Sequence, residues 1–325
     1  MALLIEEPGL HTTVQDLGRP GHYNVGVPAG GAMDSLSHEV ANQLVGNDTS
    51  LATLECTYTG PKFEVTASTV MAVTGADMPI SVNGELIPQW TAVELRVGDI
   101  VTSGFTATGA RAYFAFAGGI EVPLVLGSRS TYGSAKIGGF HGRRLAAGDE
   151  VPLGHWAGTS TKHRTLPEAL RPQWGRSYTA RVVLGPYDHR FTAESIKMFT
   201  TQEWKLTPVA DRTGFRFDGD HKFEFTSREQ PFGAGSDPSN IVDAGYPMGS
   251  IQVPGGGQPI VLHRDAVSAG GYAAIATVIS ADLNRIAQLA PKSTAQFEIV
   301  SIDDALTARA DAKKHRHRAL TSIST

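Results

Sequence analysis

The residues best suited to chemistry in this chain are carboxylates, guanidiniums and amides set in glycine-rich turns. Three close pairs stand out: Asp16 with Arg19, Asp211 with Arg212, and Arg264 with Asp265. Gln252 and Gln258 lie close by in sequence, and Gly270-Gly271-Tyr272 follows the last pair. Arginine holds carboxylates or polarises a carbonyl, and a carboxylate accepts a proton, so such pairs suit a small molecule with an N–H beside a C=O. Each pair equally reads as a local salt bridge or a carboxylate stabilising its own turn. Asp34 and Glu55 carry the same alternative, as acceptors for loop N–H groups.

Other chemistries have no support. The chain has no Gly-Lys dipeptide for a phosphate-cradling Walker loop, no Gly-x-Ser-x-Gly elbow and no Ser-x-x-Lys. Its single cysteine, Cys56, excludes an internal disulfide and an all-cysteine metal site, and reads as a small buried residue. His315 and His317 have no third ligand close in sequence, so no metal site is expected. Lys197 lies in a predicted helix and has methionine on one side only, in Ile196-Lys197-Met198, so the chain is not expected to carry biotin.

Composition bounds the rest. A length of 325 residues suggests two domains, and 41 % hydrophobic with 18 % charged residues is ordinary for a globular protein. A formal charge of −4 gives no footprint for nucleic acid or an acidic membrane surface. The first ten residues lack a basic leader, and the apolar region 112–126 is broken by Gly118, Gly119 and Glu121. A cytoplasmic protein without membrane spans is the expectation.

The elements that must position these residues are mostly strands. The stretch 12–34 holds five glycines and two prolines and reads as a long polar loop. Asp34 or Ser35 then caps a helix with Leu36, Val40, Ala41, Leu44 and Val45 on one face. Short β-branched runs follow, including a hairpin over 79–88 turning at Asn83-Gly84. The polar segment 154–177 reads as a linker with a helical turn near 167–170. Further strands then include 204–209, 215–217, 223–225, 249–253 and 259–262, with one helix capped by Thr192 and another by Ser280 or Asp282. The expected domains are 1–155 and 179–302, joined by a linker at 156–178 and followed by a helical or frayed basic tail at 303–325. Many short strands with regular turns indicate a closed or sandwiched β structure.

Longer motifs carry a resemblance. Thr13-Val14-Gln15-Asp16-Leu17-Gly18-Arg19-Pro20-Gly21, Gly31-Ala32-Met33-Asp34, Gly127-Ser128-Arg129-Ser130, Ile137-Gly138-Gly139-Phe140, Asp211-Arg212-Thr213-Gly214, the run 249–254, the run 257–262 and Gly270-Gly271-Tyr272 occur in this order. In this the chain resembles the biotin-dependent carboxyltransferase-domain family called allophanate hydrolase subunit 2, which includes KipA, the third subunit of the bacterial 5-oxoprolinase complex. The resemblance implies a mainly β fold of two cyclophilin-like β-barrel domains with a few short helices. It implies a subunit of a heteromeric ATP-dependent 5-oxoprolinase, with a KipI-like partner and a further subunit of the LamB/YcsF family. ATP would then be used at the level of the complex.

One alternative is a carboxyltransferase moving CO₂ from carboxybiotin, on a separate carrier, to urea or a related amide. Another is a KipA-type regulatory binding protein. The amidase chemistry of the family's name is not expected, because its serine–lysine signature is absent. On these grounds Asp211, Arg212, Arg264 and Asp265 are the expected catalytic residues. Asp16, Arg19, Asp34, Gln252, Gln258, Gly270, Gly271 and Tyr272 are the expected substrate-binding ones. Gly30, Ala210 and Ala269 stand where the family usually has hydroxyl residues.

Overall fold

Alternation of apolar and polar residues along short strands, with glycine at the turns, produces a mainly β protein, as the sequence indicates. The computed structural model describes residues 1–156 and 164–323. Of the expected linker, residues 157–163 lie outside the described residues, as do 324 and 325 of the tail. The chain divides into two units. The first comprises Met1–Arg19, Gly30–Trp174 and Lys313–Thr325, and the second comprises Pro20–Ala29 and Gly175–Ala312.

Two antiparallel sheets build the first unit. One holds six strands in the order Glu150–Pro152, Ala2–Glu7, Lys62–Val65, Ile100–Ser103, Ile80–Val82 and Glu85–Ile87. The other holds His11–Gln15, Thr53–Thr57, Thr108–Phe116, Thr69–Asp77 and Ala92–Leu95. Leu3, Ile5 and Phe63 from the first sheet pack with Leu54, Phe114 and Phe116 from the second in one buried core. Each such side chain contributes about 1.5–3 kcal/mol by leaving water. The helix Ser35–Leu44 lies outside these sheets, with Val40 and Leu44 fully buried. Its cap is Asp34, whose carboxylate accepts from Ser37 N–H. The hairpin turns where expected, with Asn83 and Gly84 both at positive φ.

In the second unit seven strands close a barrel. Their order is Ser177–Leu184, Ala274–Val278, Ser250–Gln252, Ile260–Leu262, Gly214–Asp218, Trp204–Ala210 and Thr294–Ile299. The parallel pairing of the first and last strands completes the ring. Rings fill its core: Phe199 stacks on Phe297 at 4.7 Å and Trp204 on Phe223 at 5.4 Å. Phe199 comes from the helix Ala193–Thr201, capped by Thr192 as its sequence suggests. A separate ribbon pairs Asn240–Gly245 with Ala269–Tyr272. From Tyr272 the chain runs directly into the barrel strand Ala274–Val278.

Several sequence expectations differ from the structure. The stretch read as one long loop begins as the strand His11–Gln15, and its residues 20–29 belong to the second unit. The strand expected over 223–225 is reduced to a single bridge, between Phe225 and Phe191. The tail is the helix Ile302–Ile323. Its end is buried, because Ala319 and Ile323 pack with Val40 and Leu44 while Arg316 grips Glu39 through two hydrogen bonds of 2.7 and 2.6 Å. No helix among the described residues is long and apolar enough to cross a membrane.

Candidate functional site

The expected site residues fall into both units. Asp16, Arg19 and Asp34 belong to the first, and the other nine belong to the second.

Asp16 follows directly on the strand His11–Gln15, and its carboxylate is enclosed by donors. It accepts from Gly18 N–H at 2.7 Å, Ser128 Oγ at 2.6 Å, Ser130 Oγ at 2.5 Å and Arg129 N–H at 2.5 Å. Arg19, 1 % exposed, donates to the carbonyl oxygens of Ser130 and Val125. Asp16 and Arg19 therefore each bind the Gly-Ser-Arg-Ser loop, where sequence reasoning paired them with one another. Gly138 explains the neighbouring Gly-Gly motif: at φ +64°, a Cβ there would run into the Ser130 carbonyl and the Arg19 guanidinium.

Asp34 is likewise committed to the fold. Its carboxylate caps the helix, and its N–H donates to Tyr113 Oη at 2.7 Å. That hydroxyl donates to Glu55 Oε2 at 2.8 Å, which also accepts from Met33 N–H. Burial, and then the charges of Glu55 and Asp34, hold the Tyr113 phenol well above its ordinary pKa.

In the second unit the expected pairs are rearranged. Arg212 meets Asp265 through a two-armed ion pair, Nε to Oδ2 at 2.8 Å and Nη2 to Oδ1 at 2.9 Å, with both residues buried. Asp211 and Arg264 take no part in it. Asp211 is exposed and accepts from the N–H groups of Thr213 and Gly214, holding the turn ahead of the strand Gly214–Asp218. Arg264 is half-buried, and its charge reaches Tyr23, where burial raises the phenol's pKa and Arg264 partly offsets the rise. Gln258 lies on the barrel between Arg216 Nη1 at 3.4 Å and Asp218 Oδ1 at 3.3 Å.

Three of the predicted substrate-binding residues do converge, around a residue the sequence did not single out. The Tyr246 hydroxyl lies 2.7 Å from the Gly270 carbonyl and 2.6 Å from that of Tyr272, and accepts from Tyr272 N–H at 2.9 Å. It is also hydrogen-bonded to the Gln252 side chain. Burial raises its pKa, while the hydrogen bonds from Tyr272 N–H and Gln252 work in the opposite direction. Gly270 gives the ring room, since a Cβ there would sit 3.0 Å from Tyr246 Cε2. Tyr272 itself is 42 % exposed, so the cluster runs from a buried carboxamide to the surface of the ribbon. Gly271 lies in the same strand, at the irregularity between the Ala244–Gly270 and Asn240–Tyr272 pairs. Tyr246, in Ala-Gly-Tyr-Pro, carries no motif of charge or spacing that would have marked it.

Side by side here are a carboxamide, a phenol and the peptide groups of a part-exposed ribbon strand, with the Arg212–Asp265 pair bracing the same barrel. Such groups donate to a carbonyl and accept from an N–H. Among the described residues no group of three or more His, Cys, Asp or Glu is placed to hold a metal ion.

The chain matches the family described as carboxyltransferase domain, subdomain A and B, over residues 25–299. It belongs to the carboxyltransferase-domain family. It is 35 % identical over 315 residues to a protein of Escherichia coli K12 named as a 5-oxoprolinase subunit, covering 96 % of both chains. To urea amidolyase of Saccharomyces cerevisiae it is 34 % identical over 93 % of its own length, and there it spans 17 % of the relative. The crystal structure of the K. lactis urea amidolyase superposes with a TM-score of 0.91 at 34 % identity, over 97 % of this chain and 20 % of that one.

Proposed function

We propose that this carboxyltransferase-domain chain is a subunit of a heteromeric enzyme that opens 5-oxoproline to glutamate with ATP hydrolysis. The observation carrying this reading is the cluster of Gln252, Tyr246 and the Gly270–Tyr272 backbone, in a chain matched along 96 % of its length by a 5-oxoprolinase subunit. A cyclic amide offers a carbonyl acceptor and an N–H donor, and this cluster offers the complements. A KipI-like protein and a LamB/YcsF protein are the proposed partners, and ATP is used at the level of the complex. Arg212, Asp265, Arg264 and Asp211 are proposed to brace and polarise the same end of the barrel.

The superposition on urea amidolyase favours a second reading, carboxyl transfer from carboxybiotin on a separate carrier to urea or a related amide. The test is ATP hydrolysis by this chain co-expressed with the two proposed partners, with and without 5-oxoproline. Stimulation accompanied by glutamate supports the oxoprolinase. Loss of CO₂ from carboxybiotin on adding urea, without that stimulation, replaces it with the carboxyltransferase.

A further inference from the structure

Arg190 is the most unusual charged residue in the second unit. It follows the barrel strand Ser177–Leu184, in the turn Asp188–Arg190, and is only 2 % exposed. Its Nη2 donates to the Pro238 carbonyl at 2.9 Å, while its Nε and Nη1 are buried with no hydrogen-bond partner among the described residues. A buried guanidinium with two unmatched donors is costly unless an acceptor reaches it.

Burial, and then the charge of a second guanidinium, that of Arg228, disfavour its charged form. Arg228 is exposed, and its Nη2 donates to Gln230 Oε1 at 3.1 Å and to the Asn240 carbonyl at 3.2 Å. The two arginines thus hang from carbonyls two residues apart. Thr226, just before Arg228 in the chain, fixes the geometry from the other side, with its N–H 2.8 Å from the Arg190 carbonyl. Two adjacent cations, one buried and one at the surface, are stabilised together by a shared anion.

The segment 238–240 also leads to the amide-handling cluster. Asn240 pairs with Tyr272 in the ribbon, and the Ser239 carbonyl accepts from Ala273 N–H at 2.8 Å. We infer that Arg190 and Arg228 form an oxyanion-binding site, Arg228 at its mouth and Arg190 at its back, which takes the carboxylate of a small acid beside the Tyr246–Gln252 cluster. Naming that acid as an amide rests on the function proposed above. The inference separates the two candidate substrates, because 5-oxoproline carries a carboxylate and urea has none.

The test is calorimetric titration of the full chain in phosphate-free buffer with 5-oxoproline, with 2-pyrrolidinone (the same ring without the carboxylate) and with inorganic phosphate. 5-Oxoproline is expected to bind more tightly than 2-pyrrolidinone. Arg228→Ala and Arg190→Lys should each weaken it by about 10- to 100-fold, the scale of a lost charged hydrogen bond, and leave 2-pyrrolidinone unaffected. Arg228 is exposed, so its variant keeps the test readable even where Arg190→Lys lowers the melting temperature. If 5-oxoproline binds equally to the wild type and the Arg228 variant, the oxyanion site is wrong and the amide function stands. Phosphate binding lost in that variant, with no binding of 5-oxoproline, keeps the oxyanion site with phosphate as its ligand and removes the amide function. No binding of any of the three overturns the site.

Discussion

Asp16 in the first unit and Asp265 in the second are both buried aspartates beside glycine-rich loops, yet they are satisfied in different ways. Asp16 accepts four hydrogen bonds from a single loop and its own turn, two of them from backbone N–H groups. Asp265 is held by a guanidinium 53 residues away in sequence. The first arrangement fills the carboxylate's accepting capacity and pins a loop. The second holds together the turns beside two barrel strands. Residue type and glycine context, alike in the two, do not separate a loop anchor from a group at a candidate functional barrel end; the count and source of the donors do.

The contrast breaks most visibly at Asp16. Asp16→Ala should destabilise the protein by about 4 kcal/mol, since four donors lose their acceptor in a buried place. Urea unfolding measures this, and a loss below about 1 kcal/mol would mean that the loop finds other partners. Arg212→Ala should cost about 3 kcal/mol by leaving Asp265 buried and uncompensated, whereas the double variant Arg212→Met/Asp265→Leu should recover most of it. An equally unstable double variant would show that the pair's other hydrogen bonds matter more than its charge.

Tyr113→Phe sharpens the account of the first unit. Losing the hydroxyl between Asp34 N–H and Glu55 should cost about 1–2 kcal/mol, seen as a lower thermal midpoint. The smallest effect concerns Cys56, whose thiol is pushed up to about 12 by burial. The folded state keeps this proton where an unfolded chain, with a thiol pKa near 9.0, releases it. Its contribution is therefore complete below pH 9 and declines as pH rises toward 12. At about pH 8 the thiol should resist Ellman's reagent until denaturant is added, since the buried proton stays in place; rapid labelling of the native protein would contradict its burial.

Local signals were legible in the sequence. Asp34 and Thr192 cap their helices, and Asn83-Gly84 turns its hairpin, because each effect is decided within three or four residues. Pairing across the chain was not. Neighbouring residues such as Arg264 and Asp265 have different roles: Asp265 meets Arg212, 53 residues away, while the charge of Arg264 acts on Tyr23. Tyr246 was illegible for the same reason: its partners, Gln252, Gly270 and Tyr272, come from a barrel strand and a ribbon strand. The buried end of the terminal helix depends on Ala319 and Ile323, whose weak apolar spacing is masked by the basic residues before it.

The most direct test of the central claim is the turnover of the reconstituted complex carrying Gln252→Ala, measured as 5-oxoproline-dependent ATP hydrolysis alongside the chain's melting temperature. If the Tyr246–Gln252 cluster handles the substrate amide, turnover should fall about 100-fold, as for loss of one positioned hydrogen-bonding group. The chain should stay folded at the assay temperature, with its melting temperature lowered only by the few degrees that one lost buried hydrogen bond costs. Wild-type turnover from a folded Gln252→Ala complex would contradict it.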